Sequence, residues 1–126
     1  FEHRAVIVGT GREQLLAGLS GLAAGEPGAA VVVGRAGPAD RTVFVFPGQG
    51  SQWIGMGIEL LETSTVFADQ MRICEKALSE YVAWSLTDVI RRVPGAPGLD
   101  RVEVIQPALW AVMVSLAELW RSVGVV

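Results

Sequence analysis

Gly48-Gln49-Gly50, which follows the apolar run Thr42-Val43-Phe44-Val45-Phe46 and Pro47, is the stretch of this chain best suited to chemistry. The run predicts a buried strand and Gln52 to Leu61 predicts a helix, so the loop would sit at a strand's carboxyl end beside a helix N-terminus. Backbone N–H groups at such a junction meet negative charge readily. The glycines permit close approach, which lets the Gln49 N–H be aimed at a bound oxygen. One well-placed donor to a developing oxyanion is worth a factor of about 10² to 10³ in rate. A plain strand-to-helix turn carries the same glycine pair, and the pair alone does not separate the two.

An oxyanion donor serves a nucleophile and a base, and this chain supplies neither in a recognisable form. Ser20, Ser51, Ser64, Ser79, Ser85, Ser115 and Ser122 all lie outside a G-x-S-x-G elbow. The nearest approach, Gly18-Leu19-Ser20-Gly21-Leu22, lacks the last glycine and falls on a predicted helix. His3 is the sole histidine and lies at the N-terminus, where a solvated role suits it better than general base. Cys74 falls on the apolar stripe of a helix and reads as a core thiol. Gln106 precedes Pro107 where a helix cap belongs, yet glutamine caps poorly, and position leaves a surface role and a site role open. Trp53, Trp84, Trp110 and Trp120 read as core or interface residues.

The elements that must position these residues follow from periodicity. Arg4 to Gly9 predicts a strand, Arg12 to Ala24 a helix with Leu15, Leu16, Leu19, Leu22 and Ala23 on one face, and Ala29 to Val33 a second strand. Together they predict a small βαβ unit, followed by a linker from Gly34 to Arg41. Beyond the Thr42 to Phe46 strand, Ser64 or Thr65 caps a helix to about Tyr81. Its buried stripe is Phe67, Met71, Cys74, Leu78 and Tyr81, opposite Asp69, Arg72, Glu75, Lys76 and Glu80. A short helix over Leu86 to Arg92 precedes the Pro94 to Gly98 loop. A helix from Pro107 to Ser122, with proline at its first position, offers only Ser115, Glu118, Arg121 and Ser122 to water.

Composition narrows the class. The chain has 126 residues, opens on Phe1 and ends on Val126, and is 51% hydrophobic, which suits part of a larger α/β protein more than a free-standing domain. Ten basic and 13 acidic residues give a net charge of -3 without a basic stripe, which argues against a nucleic-acid partner. A single cysteine excludes an internal disulfide and a cysteine-cluster metal site. No signal peptide is visible, and the longest apolar run of the last helix, Ala108 to Val114, falls short of the ~20 residues that cross a bilayer. A reducing cytoplasm fits these features.

The run Phe44 to Trp53, with Gly55-Met56-Gly57 after it and Gln106-Pro107-Ala108-Leu109 later, resembles the start of an acyltransferase domain of a modular type I polyketide synthase. Residues 1–41, opening Phe1-Glu2-His3-Arg4-Ala5-Val6, resemble the linker from the preceding ketosynthase. The resemblance covers the whole chain. It implies an α/β fold: the linker unit, then residues 42–126 as the N-terminal part of an α/β-hydrolase-like core, truncated before the nucleophile elbow. It also implies that Gln49 gives its backbone N–H to an oxyanion hole and that Gln106 lines the acyl pocket. The nucleophile would be a serine in a Gly-His-Ser-x-Gly elbow beyond Val126, with the base histidine and the carboxylate-binding arginine later still. The intact domain would move an extender acyl group from acyl-CoA to that serine, then to the phosphopantetheine thiol of an acyl carrier protein, without metal or bound cofactor. Arg101-Val102-Glu103-Val104-Ile105-Gln106 resembles the methylmalonyl-selecting pattern more than the malonyl one, with Ile105 in place of the commoner valine. The segment alone would be inactive, and its partners would be the ketosynthase and the rest of the acyltransferase.

Two other classes compete. A dinucleotide-binding unit would use Gly9-Thr10-Gly11 or Gly48-Gln49-Gly50, but Gln14 and Trp53 stand where the third glycine belongs. Glu26 also lies short of the ~20 residues past the turn at which a ribose-binding acid is expected. A non-catalytic docking segment would instead use the βαβ unit and the apolar last helix.

Overall fold

A computed structural model describes residues 1–37 and 42–125. The chain divides into two compact units, Phe1–Arg41 and Thr42–Val126. The first holds β1 (His3–Ile7), α1 (Arg12–Ala23) and β2 (Val31–Arg35). β1 and β2 pair antiparallel, with Ala5 opposite Val33 and Ile7 opposite Val31. The predicted elements therefore form, but as an antiparallel pair rather than the parallel pair of an ordinary βαβ crossover. α1 is held close through Gly18, where an added Cβ would stand 2.5 Å from Ile7 Cγ2. Leu15, Leu16 and Leu19 are exposed. Part of the predicted linker, residues 38–41, lies outside the described residues.

The second unit is helical among the described residues: α2 (Ile58–Thr63), α3 (Thr65–Leu78), α4 (Leu86–Arg91) and α5 (Val102–Ser122). Ser64 caps α3 by accepting a hydrogen bond from the Phe67 N–H at 3.2 Å. Phe67, Met71 and Cys74 then meet Ile105, Ala108, Ala111 and Val112 of α5 in one core. The stripe ends sooner than its spacing predicts, because α3 stops at Leu78 and Tyr81, in the turn beyond, is 82% exposed.

Three expected elements differ. Thr42 to Phe46 is not a strand, since a strand exists only through a partner's hydrogen bonds and no described segment pairs with it. Gln52 to Leu61 is helical only from Ile58, because Gly55 (φ 88°) and Gly57 (φ 78°) hold left-handed angles that a helix excludes. The last helix starts at Val102, not Pro107, which puts the proline inside it and leaves the Glu103 carbonyl without its usual partner. Glu103 is exposed, so water can take that carbonyl. Ser115, expected to face water, is fully buried and donates to the Ala111 carbonyl at 2.7 Å. With 21 residues α5 is long and apolar enough to cross a membrane by length and composition. Its packing against α3 is that of a core helix.

Gly57 is fixed by its neighbours as well as by its angle, since an added Cβ would meet Phe67 Cζ at 3.3 Å. Gly57→Ala is expected to cost about 2 kcal/mol, the left-handed penalty plus displacement of a core ring. Urea unfolding followed by circular dichroism checks this, with Gly34→Ala, which meets nothing within 4 Å, as the reference.

Glu75 was expected on the solvent face but joins two helices. Its Oε1 accepts from Ser85 Oγ at 2.6 Å and from the Thr87 N–H at 3.1 Å, and its Oε2 from Thr87 Oγ1 at 2.9 Å. Burial pushes this carboxyl up, but the hydrogen bonds from Ser85 and Thr87 outweigh it and hold the pKa below the usual carboxylate range. A lowered folded pKa stabilises the fold above the unfolded value, and that contribution is lost as pH falls through the folded one. Glu75→Gln should therefore cost about 1 kcal/mol at neutral pH and progressively less in acid. Urea midpoints compared across that range test it, and an equal cost at both ends would contradict the carboxylate's role.

Candidate functional site

The loop after Phe46 is shaped by its own short contacts. Gly50 sits at φ 112°, an angle open to glycine. Its N–H donates to Gln52 Oε1 at 2.7 Å, and Ser51 Oγ donates to the Gly48 carbonyl at 3.1 Å. These bonds tie down the residues on either side of Gln49. Among the described residues no acceptor meets the Gln49 N–H, and the residue is exposed. The Gln49 N–H is thus a free donor between two hydrogen-bonded neighbours, and the Gly48, Ser51 and Gln52 N–H groups of the loop likewise meet no acceptor among the described residues.

The segment leading to the loop lies along α5. Phe44 to Pro47, with Trp53 and Met56, forms an apolar groove against Leu109, Val112 and neighbouring residues of α5. Arg121, near the end of α5, stands over the Phe44 ring at 5.7 Å from its centroid, within cation–π range. A second groove, of about 570 Å³, opens where the loop ends, between Gln52, Trp53 and Ile54 and the chain from Val89 to Asp100. Neither groove is lined by Gln49 or Gln106.

Gln106 lies on the exposed side of α5, after the buried pair Val104 and Ile105. It is not a cap, because the helix begins earlier at the N-cap Arg101. Arg101 Nε and Nη2 donate to Glu103 Oε1 at 2.8 and 2.6 Å. The Glu103 backbone N–H and the Arg101 side chain hold the Glu103 carboxyl below its usual range. Among the described residues, no hydrogen bond joins Gln106 to the Gln49 loop.

The remaining candidates are placed away from chemistry. Cys74 is 2% exposed, and burial pushes its thiol up against weaker opposing bonds from Gln70 and Ser115, which disfavours the reactive thiolate. His3 is exposed on β1. Among the described residues no three His, Cys, Asp or Glu side chains gather to hold a metal ion. Sequence reasoning missed Arg92, the one non-glycine residue among those described with a left-handed backbone, at φ 57°. No local motif marks it, since arginine has no preference for that conformation.

Comparison with known proteins places these features in a family. The model of the acyl transferase domain matches residues 43–126. Mycoketide-CoA synthase of Mycobacterium tuberculosis is 65% identical over 125 residues, covering 99% of this chain and 3% of the relative. Polyketide synthase GfsE of Streptomyces halstedii is 61% identical over 131 residues, covering 99% of this chain and 3% of the relative. The crystal structure of the acyltransferase domain from module 8 of the salinomycin polyketide synthase superposes with a TM-score of 0.86 at 58% identity. That match covers 99% of this chain and 30% of the crystallised one. This chain belongs to the acyltransferase domains of polyketide synthases. It spans only a few per cent of the synthases it matches and under a third of that solved domain.

Proposed function

We propose that residues 1–41 are a ketosynthase-to-acyltransferase linker and residues 42–126 the N-terminal part of an α/β-hydrolase-like acyltransferase core. The complete domain takes an extender acyl group from acyl-CoA onto a serine and passes it to the phosphopantetheine thiol of an acyl carrier protein. Its setting is the cytoplasm, beside the ketosynthase domain and the remainder of the acyltransferase. Gln49 carries this reading: its N–H is exposed and without an acceptor among the described residues, on a loop whose flanks are tied by their own hydrogen bonds. Such a donor is preorganised for the oxyanion of a tetrahedral intermediate.

The partner donor, the serine and its histidine belong to residues beyond 126. Gln106 faces the acyl group, and the Arg101 to Gln106 stretch favours methylmalonyl over malonyl through the resemblance of its sequence. The hydrogen-bonded Arg101 and Glu103 fix the first turn of the helix that carries Gln106.

A dinucleotide site fits this structure poorly. In the first G-x-G turn, Gln14 Oε1 already accepts from the Thr10 N–H at 2.8 Å and from Thr10 Oγ1 at 3.1 Å, where a phosphate would need those donors. The strands around that turn are antiparallel, unlike those of a nucleotide crevice.

Covalent transfer needs a nucleophile, so residues 1–126 alone should form no acyl-enzyme. Incubation with methylmalonyl-CoA or malonyl-CoA and intact mass measurement tests this. The expected spectrum is unmodified, whereas the complete domain gains one acyl group, faster from methylmalonyl-CoA. A stable adduct on residues 1–126 would move the nucleophile into this segment and overturn the assignment.

A further inference from the structure

The groove at the end of the Gln49 loop carries a cation that the oxyanion reading does not use. Its walls are largely apolar, with Trp53 and Ile54 facing Val93, Pro94 and Leu99. Its volume of about 570 Å³ falls within the range of small-ligand sites. Only Gly50 and Ser51 separate Gln52 on its rim from Gln49, so their Cα atoms lie within about 11 Å of one another.

Arg92 lines this groove from the C-cap of α4. The left-handed conformation there closes the helix, with the Arg92 N–H on the Val89 carbonyl and the Val93 N–H on that of Asp88. Glycine takes this position without strain, whereas an arginine retains a backbone penalty. Arg72, Arg91, Arg101 and Arg121 each pair with a carboxylate, whereas Arg92 has no acidic partner among the described residues. Asp100 lines the same groove and still forms no ion pair with it. An unmatched guanidinium, carried on a left-handed backbone position at the rim of an apolar groove, has the chemistry to fork onto a phosphate whose attached arm lies along the apolar wall.

We propose that this groove binds the phosphopantetheine arm of the thioester, with Arg92 on its phosphate and Trp53 against its chain. The inference rests on the acyltransferase reading above, in which coenzyme A and the carrier protein both present the acyl group on that arm. Their shared chemistry is a phosphate ester on a flexible, weakly polar chain ending in sulfur.

The test titrates the 126-residue chain with phosphopantetheine, pantetheine, adenosine 3′,5′-bisphosphate and inorganic phosphate in turn. Nitrogen-edited NMR follows the Trp53 indole, assigned by Trp53→Phe. Phosphopantetheine is expected to shift Trp53 and residues 93–100, and pantetheine to bind about tenfold more weakly. Arg92→Gly removes the charge and suits the backbone angle, so it should fold and lose that tenfold while leaving pantetheine unchanged. Arg92→Lys should recover part of the loss, and Arg92→Gln none. Equal binding by Arg92→Gly, shifts confined to other residues, or tighter binding by adenosine bisphosphate than by phosphopantetheine would each overturn the proposal. Acyl transfer is read separately on the complete domain. Binding here without transfer would sink the acyltransferase reading and leave a phosphate-ester site, whereas transfer with an Arg92→Gly KM equal to the parent's would sink the site alone.

Discussion

Gln49→Pro in the complete domain is expected to lower kcat by about 10² to 10³, while Gln49→Ala changes it by less than about threefold. The contrast follows from which atom acts. The proposed donor is the backbone N–H, exposed and without an acceptor among the described residues. Alanine keeps that donor and proline removes it. A glutamine acting through its amide would give the opposite order, with alanine the damaging change. Because the oxyanion forms only in the transition state, the loss should fall on kcat, with KM for acyl-CoA nearly constant. Single-turnover acylation measured with a labelled thioester supplies both numbers. Equal rates for the two variants would remove Gln49 from the oxyanion hole.

The glycine turn of the loop was legible in sequence because its signals are local, whereas the strand and the helix expected to flank it directly were not. Gly50 takes a backbone angle suited to glycine, and Gln52 and Ser51 sit within reach of the groups they bond. Arg92 was not legible, because its interest lies in a backbone angle and a groove assembled from segments some forty residues apart in sequence. Glu75 was missed for a related reason. Helical spacing places it on the polar face of α3, and only the path of the chain into α4 brings Ser85 and Thr87 onto its carboxylate.

The elements show the same division between local and distant causes. Ser64 announces α3 by accepting a hydrogen bond from an N–H three residues on, and the structure adds the same cap on α4 at Ser85, which its sequence pattern did not single out. Pro107 misled, because proline is tolerated within a helix where the deprived carbonyl, here that of exposed Glu103, can meet water. Thr42 to Phe46 has the composition of a strand, but its state depends on a pairing partner that its own residues cannot supply. It is held sideways instead, with the Phe44 ring beneath Arg121 and Phe44 to Phe46 lining an apolar groove with α5.

Phe67→Ala is the substitution expected to cost this chain most in stability, about 3 to 5 kcal/mol. The ring is fully buried and stands at the joint of three elements: the Gly57 turn, the start of α3, and Val112 of α5 in the same core. Truncation removes the transfer energy of the ring and leaves a void that the small Ala108 and Ala111 in the same core cannot fill by rotating. Collapse of the helices is also resisted, since Ser64 fixes the N-terminus of α3 one turn before the ring. Folded domains hold a margin of about 5 to 15 kcal/mol, so such a loss is a large share of it and should lower the urea midpoint markedly. Tyr81→Ala is the matched control. Spacing puts Tyr81 on the same stripe, but it is 82% exposed beyond the end of α3 and should cost less than about 0.5 kcal/mol. Urea unfolding curves for the two variants, followed by tryptophan emission, decide the matter. Comparable losses would mean that the stripe continues to Tyr81 and that α3 is longer in solution than Leu78.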